Sequence, residues 1–244
     1  MKKHILSAFF LGLCLAFTTT TSAQSWWGGS GISGEGKVVT KNLDLDKFTG
    51  FGLSISADVK LIKGSSQQVK VVGQQNIIDN IETEVRNGFW DISFDKNVRR
   101  YNELTIYITV PTVDKVAISG SGDIESDDVF TGLSDLQLSI SGSGDIQIGA
   151  AAQSMNCNIS GSGDMDVRGS SSTLSVSISG SGDVSAYDLK AGNVSVSIAG
   201  SGDCNVHATQ ALTANIVGSG DVRYKGNPSV QSKVVGSGDV IARN

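Results

Sequence analysis

The sequence predicts an all-β fold, a right-handed parallel β-helix (β-solenoid) of coils about 19 residues long, and three observations point to it. Gly-Ser-Gly-Asp recurs seven times, ending at Asp123, Asp145, Asp164, Asp183, Asp203, Asp221 and Asp239, at intervals of 22, 19, 19, 20, 18 and 18 residues. Aligned on that Asp, apolar residues fall in fixed columns. Five places before it stand Ile118, Ile140, Ile159, Ile178, Ile198, Ile216 and Val234, and one place after it Ile124, Ile146, Met165, Val184, Cys204, Val222 and Val240. Between the columns the residues are small and polar, such as Gln137 and Ser139, Asn156 and Asn158, Ser175 and Ser177. That alternation is the mark of strands with one buried face.

One such unit cannot bury its apolar face alone, whereas stacked units can, each Ile landing on the next. Parallel crossovers are right-handed. A propeller needs blades of ~40 residues, about twice this period.

From the N-terminus, residues 1–23 read as a cleaved export signal. Lys2 and Lys3 precede an apolar stretch from Ile5 to Phe17, and Thr21-Ser22-Ala23 closes it with small residues. The stretch is too short to span a bilayer. Cys14 lies inside the apolar run, where a lipid-modified Cys would stand at its end. Removing 23 of 244 residues leaves 221, with 17 basic and 24 acidic side chains, a formal charge of −7. That acid excess, without a long basic run, argues against nucleic acid as partner.

Residues 24–37 read as a Gly-rich tail carrying Trp26 and Trp27, two indoles suited to dock on the solenoid end or on a second copy. Residues 38–244 read as one domain, irregular over 38–111 and regularly coiled over 112–244. In the irregular part, Leu53 to Leu61 looks like a coil with its Gly-Ser-Gly corner worn down, and Val69 to Val72 is a strand. Gln75 to Ile81 suits one or two helical turns. Asn87-Gly88, between Ile81–Arg86 and Phe89–Phe94, is a two-residue hairpin signal. Leu104 to Val110 is a strand stopped by Pro111. This aromatic-rich half is expected to start the same stack and cover its open edge.

The repeated corner has a structural reading. Two glycines around a Ser give a sharp turn, and Asp accepts nearby backbone N–H groups. Stacked carboxylates ~5 Å apart would repel by about 0.8 kcal/mol per pair in water, which such hydrogen bonds offset. The alternative is a calcium ladder. Calcium-binding β-rolls, however, repeat every nine residues, and one carboxylate per coil supplies few of the 6–8 oxygens calcium takes.

Four residues after the Asp, Arg168, Tyr187, His207, Lys225 and Arg243 form a second outward column, a basic and aromatic ridge suited to an acidic glycan, with Arg223 flanking it. The bland alternative is an ordinary solvated surface. Cys157 and Cys204 both fall in apolar columns on different strands, so they read as two buried free thiols. No catalytic constellation, metal site or cofactor motif emerges. His207 is the only His after cleavage, and the many Ser residues follow the polar columns.

Phe48-Thr-Gly-Phe51, Ala57-Asp58-Val59-Lys-Leu61, Ile81-Glu-Thr-Glu-Val85, Ile106-Tyr-Ile-Thr-Val-Pro111 and the Ser-Gly-Ser-Gly-Asp series together resemble the auto-transporter adhesin head domain. This GIN domain is a domain of unknown function common in exported proteins of Bacteroidetes-type bacteria, and the resemblance covers roughly Val38 to Asp239. It implies a right-handed β-solenoid at the envelope or surface, and assigns no functional residue. An auto-transporter's C-terminal membrane barrel, with its ~10-residue alternating strands, has no counterpart before Asn244. The expected location is therefore the periplasm, or the surface by another route.

The expected function is an exported, non-enzymatic adhesin or envelope scaffold presenting a flat Ser/Asn/Thr face. The second reading is a polysaccharide-binding or polysaccharide-active β-helix using the ridge, and calcium-dependent assembly is third. The expected partner is a cell-surface glycan or an envelope protein, with homo-oligomers through the solenoid ends as a further option.

Overall fold

The computed structural model describes residues 31–243. The export signal with Cys14, and the part of the tail holding Trp26 and Trp27, lie outside the described residues. In chain order the elements are β1 (Ile32–Ser33), β2 (Val38–Leu43), β3 (Gly50–Leu53), β4 (Asp58–Lys63), β5 (Gln68–Gln74), α1 (Gln75–Ile78), β6 (Val85–Arg86), β7 (Phe89–Ile92), β8 (Val98–Arg100) and β9 (Thr105–Val110). The coiled half follows as β10 (Lys115–Gly120), β11 (Asp123–Gly142), β12 (Ile146–Gly161), β13 (Met165–Gly180), β14 (Val184–Gly200), β15 (Cys204–Gly218), β16 (Val222–Lys225), β17 (Ser229–Gly236) and β18 (Val240–Ala242).

From β10 onward every coil pairs in parallel with the next, and equivalent residues sit directly over one another: Ile118 on Ile140, Ile140 on Ile159, Ile159 on Ile178, Ile178 on Ile198, Ile198 on Ile216. All six are buried, as are Ile124, Ile146, Met165, Val184, Cys204 and Val222. The β-solenoid predicted from the repeat is the fold.

The predicted plan of strand, corner, strand, return turn needs one amendment. The return is not a separate turn, because β11 to β15 run through it as continuous strands of 15–20 residues. Small residues there, such as Gly149-Ala150-Ala151, bend while keeping their bonds to the next coil. Differences in coil length are absorbed on this side as bulges, at Glu125/Val129 between β11 and β12 and at Ala186/Lys190 between β14 and β15. The Ser126-Asp127-Asp128 bulge lies in the first coil, whose interval is the longest, 22 residues.

The Gly-Ser-Gly corner has no such tolerance. The first glycine of each corner, from Gly120 to Gly236, has φ between +133° and +143°. A Cβ on either glycine of the later corners would lie 2.0–2.2 Å from the carbonyl oxygen of the equivalent glycine one coil below. At the corner, backbone rests on backbone. Only glycine fits.

The N-terminal half joins the stack out of chain order. Strand β3 pairs with β10 on one side and β7 on the other, and β4 lies likewise between β11 and β9. The coil containing β3 and β4 is thus sandwiched between the coil that begins with β10 and β11 and one formed by residues 89–110, which comes between them in sequence. Antiparallel β5 then covers β9, and β2 covers β5, closing that end of the stack. The hairpin of β6 and β7 turns through Asn87 (φ 54°) and Gly88 (φ 74°). Trp90, fully buried, packs on Phe48 at 5.7 Å and donates from Nε1 to the Glu82 carbonyl. In the expected tail, Ile32–Ser33 is strand β1, paired with β8.

At the other end no coil covers the last rung among the described residues. Val230 and Val234, in columns buried everywhere below, are 39% and 38% exposed. Cys157 and Cys204 are free and fully buried, and burial pushes the Cys157 thiol up to about 12. Thiols of that character are inert.

The corner contact predicts the cost of a methyl group. Gly182→Ala should destabilise by roughly 3 kcal/mol, since the clash is with backbone that cannot rotate away. For a chain of this size that corresponds to a Tm lower by about 6–12 °C. Ser181→Ala, on the exposed middle residue of the same corner, should stay within ~0.5 kcal/mol in the same thermal melt.

Candidate functional site

The stacking produces three outward surfaces from the repeat: an aspartate ladder, a flat polar face and the ridge beyond it.

The ladder is made of hydrogen bonds between coils. The backbone N–H of Asp145 donates to Oδ1 of Asp123, and the same bond links Asp164 to Asp145, Asp183 to Asp164, Asp203 to Asp183, Asp221 to Asp203 and Asp239 to Asp221, at 2.6–3.1 Å. The carboxylate therefore does not close its own turn, as the sequence reading has it. It stands in for a backbone acceptor toward the coil above. Ser N–H groups meanwhile bond the first glycine's carbonyl below, as Ser181 does to Gly161 at 2.9 Å. At its start the ladder is anchored by Asp123 N–H on the Ala57 carbonyl, 3.1 Å. Asp58 pairs with Asp123 in register, an eighth aspartate in the column, yet its side chain takes no such bond. The Oδ1 of each aspartate from Asp123 to Asp221 is thus committed to an N–H of the coil above. Among the described residues no three His, Cys, Asp or Glu side chains converge as metal ligands do.

Charge in the ladder is neutralised at one place. Arg223, two residues past Asp221 and so on the same strand face, reaches Asp221 Oδ2 at 2.7 Å and Asp203 Oδ2 at 2.6 Å. Burial pushes the Asp203 carboxyl upward, but the guanidinium and the Asp221 N–H outweigh it and hold that carboxyl below its ordinary value. The sequence reading placed Arg223 beside the ridge. The Asp-x-Arg spacing was the signal for this clamp.

The flat face comes from three columns that never bulge. Gln137, Ser139 and Ser141 lie under Asn156, Asn158 and Ser160, and those under Ser175, Ser177 and Ser179. Ser195, Ser197 and Ala199 follow, then Thr213, Asn215 and Val217. These five rungs of three positions are exposed or half-exposed and contain no charge. The grid covers about 19 by 13 Å, from ~4.8 Å per rung and ~6.7 Å per column. Lys115 and Lys233 bound it at the two ends.

The five ridge residues occupy successive coils on the bulged side, and they do not form one aligned column. Arg168 faces Gly149 in register and turns back over it, donating from Nη2 to the Ser126 carbonyl at 2.9 Å, so it ties down the bulge. Tyr187 lies within a bulge, and the partner of His207 below is Lys190. Lys225 sits over the Tyr187 ring at 5.2 Å and 3.7 Å from Asp188. Arg243 stands one residue past β18, its N–H on the Tyr224 carbonyl at 2.7 Å.

Two outcomes follow for the ladder. Asp183→Ala removes the acceptor of Asp203 N–H and should cost about 1 kcal/mol, whereas Asp183→Asn keeps an oxygen there and should stay within ~0.5 kcal/mol; urea denaturation at pH 7 separates them. The second outcome concerns pH. The Asp203 carboxyl is lowered by folding, so its stabilisation is present above the ordinary carboxylate value of 3.8 and is lost as pH falls through the lower folded value. The difference in stability between pH 7 and pH 3 should shrink in Arg223→Ser.

Solved structures share the fold. An adhesin from Bacteroides fragilis, described as putative, is 25% identical with a TM-score of 0.79, covering 87% of this chain and 100% of that one. A "putative adhesin" from Parabacteroides merdae is 22% identical at a TM-score of 0.72, over 87% and 99% of the two chains. A "putative lipid binding protein" from Parabacteroides distasonis is 24% identical at 0.72, over the same shares. No curated protein matches the chain. The family described as "putative auto-transporter adhesin, head GIN domain" matches residues 47–228, about three quarters of the sequence, and the chain belongs to that family.

Proposed function

We propose that the protein is an exported, non-enzymatic adhesion or envelope-scaffold module, and that the uncharged Ser/Asn/Thr face is its contact surface. One observation carries this reading. Five consecutive rungs present fifteen outward positions without a single charge, in a chain with 43 charged residues (19 basic, 24 acidic). A solvated surface ordinarily mixes both signs of charge. A face without them loses little on desolvation, while its hydroxyl and amide groups still offer donors and acceptors. Family membership and the adhesin-type neighbours support the class, and no helix among the described residues is long and apolar enough to cross a membrane.

The ridge is a second surface to test, because Lys225 over Tyr187 forms a cation–aromatic platform that a sugar face could extend. Arg168 is already bonded to backbone and Lys225 lies near Asp188, which leaves His207 and Arg243 as its open groups.

The test places charge in the middle of the flat face. Ser177→Lys/Ser197→Lys alters two stacked exposed positions and leaves every core column in place. Binding of the purified protein to envelope fractions of the source cells should fall at least about tenfold, with the thermal melt within a few degrees of the parent. Undiminished binding by the double variant, with loss instead in Lys225→Ser/Arg243→Ser, would transfer the function to the ridge.

A further inference from the structure

A groove of about 710 Å³ opens at the N-terminal end of the stack, away from the repeat-built surfaces. Its walls are the Ser54–Ser56 turn of the worn-down coil, the Ser93–Tyr101 segment and the first Gly-Ser-Gly corner at Gly120 and Ser121. Lys96, Arg99 and Arg100 line it, and no carboxylate does. Acids outnumber bases by 24 to 19 in the chain, so a concavity lined by three cations and no carboxylate departs from the average charge of the molecule. Like most basic side chains among the described residues, Lys96, Arg99 and Arg100 make no ion pair, but these three share one concavity.

The groove is held in shape. Strand β1 straps β8 through Ile32 N–H on the Asn97 carbonyl and Gly34 N–H on the Arg100 carbonyl, at 2.9 and 2.8 Å. The Arg99 stem lies against Gly31, so close that a Cβ there would be 2.6 Å from Cγ. Phe94 and Tyr101 meet edge to face at 5.7 Å and 80°, and the Tyr101 hydroxyl donates to the Ser56 carbonyl, which fixes the ring. Cations, a fixed aromatic pair and several serine hydroxyls thus share one concavity of a size that takes small ligands.

From this we infer that the groove binds an acidic saccharide, with sugar carboxylates on Arg99, Arg100 and Lys96 and a sugar ring against Phe94 and Tyr101. Guanidinium groups pair carboxylates through two parallel hydrogen bonds. The aromatic pair favours a sugar over a bare anion, because phosphate has no apolar face to cover it. A long polyanion is disfavoured by the chain's overall negative charge and by the aspartate ladder, which begins two residues past Ser121. This inference uses none of the residues of the uncharged face, so the two readings stand or fall separately.

Isothermal titration calorimetry in low salt tests it with trigalacturonate and sialyllactose as probes, and with lactose, inorganic phosphate and phosphatidylserine vesicles as comparisons. At least one acidic sugar should bind at least about tenfold more tightly than lactose and than phosphate. Arg99→Ser/Arg100→Ser should weaken it about tenfold or more, Tyr101→Ala should lose it, and Tyr101→Phe, which keeps the ring, should retain it. Lys225→Ser should change nothing. Absence of heat with both acidic sugars overturns the inference, as does binding unchanged in the double arginine variant. Phosphate competing as well as the sugar, or vesicles binding where the sugars do not, overturns it in favour of a bare anion subsite or a lipid headgroup.

Discussion

The contact on which the structure depends is glycine stacked on glycine at each corner. With backbone resting directly on backbone, each corner must sit squarely above the one below, because a sideways shift would bring a neighbour's side chain into a space too small for any Cβ. That fixes the register of everything measured from the corner. Ile five places before the Asp falls on Ile, small polar residues fall on small polar residues, and carboxylate follows carboxylate. In a strand a slip of one residue would turn the core outward, and the corner is what forbids the slip.

Stacking like on like has an electrostatic consequence, and the aspartates meet it in two ways. Each carboxylate from Asp123 to Asp221 accepts an N–H from the coil above, so the charge that repels its neighbours also bonds the next coil. Most of these carboxylates stay in contact with water, where repulsion is weak and screened. Where Asp203 and Asp221 are less exposed, Arg223 bridges them. The two ends are treated differently. Strands β5 and β2 cover one edge, while the last rung keeps Val230 and Val234 uncovered among the described residues.

The corner also divides the surface by regularity. Residues just before it cannot vary in spacing, so they build a regular, uncharged grid. Residues after it lie where coils of 18 to 22 residues must be reconciled, and there the chain bulges and its side chains serve local repairs, as Arg168 does for Ser126. A regular face suits repeated contact with an extended partner. At the irregular end the chain doubles back and leaves Lys96, Arg99 and Arg100 around a groove.

The amino-acid sequence alone determined the solenoid, its buried columns, the free buried thiols at Cys157 and Cys204 and the hairpin at Asn87-Gly88, because each follows from periodicity or from local backbone chemistry. The Arg223 clamp was legible too, since period two places residue i+2 on the same strand face. The destination of the aspartate bonds was not. Local turn chemistry and stacking between coils ask for the same residue, and only the spatial neighbour distinguishes them. Nor could spacing reveal that β3 and β4 lie between β10–β11 and β7–β9, because that order depends on which strands bury one another's faces after the chain has left and returned. The groove beneath Arg99 and Arg100 arises the same way. Its walls come from residues 54, 94–101 and 121, brought together by packing across distances in sequence over which no pattern repeats.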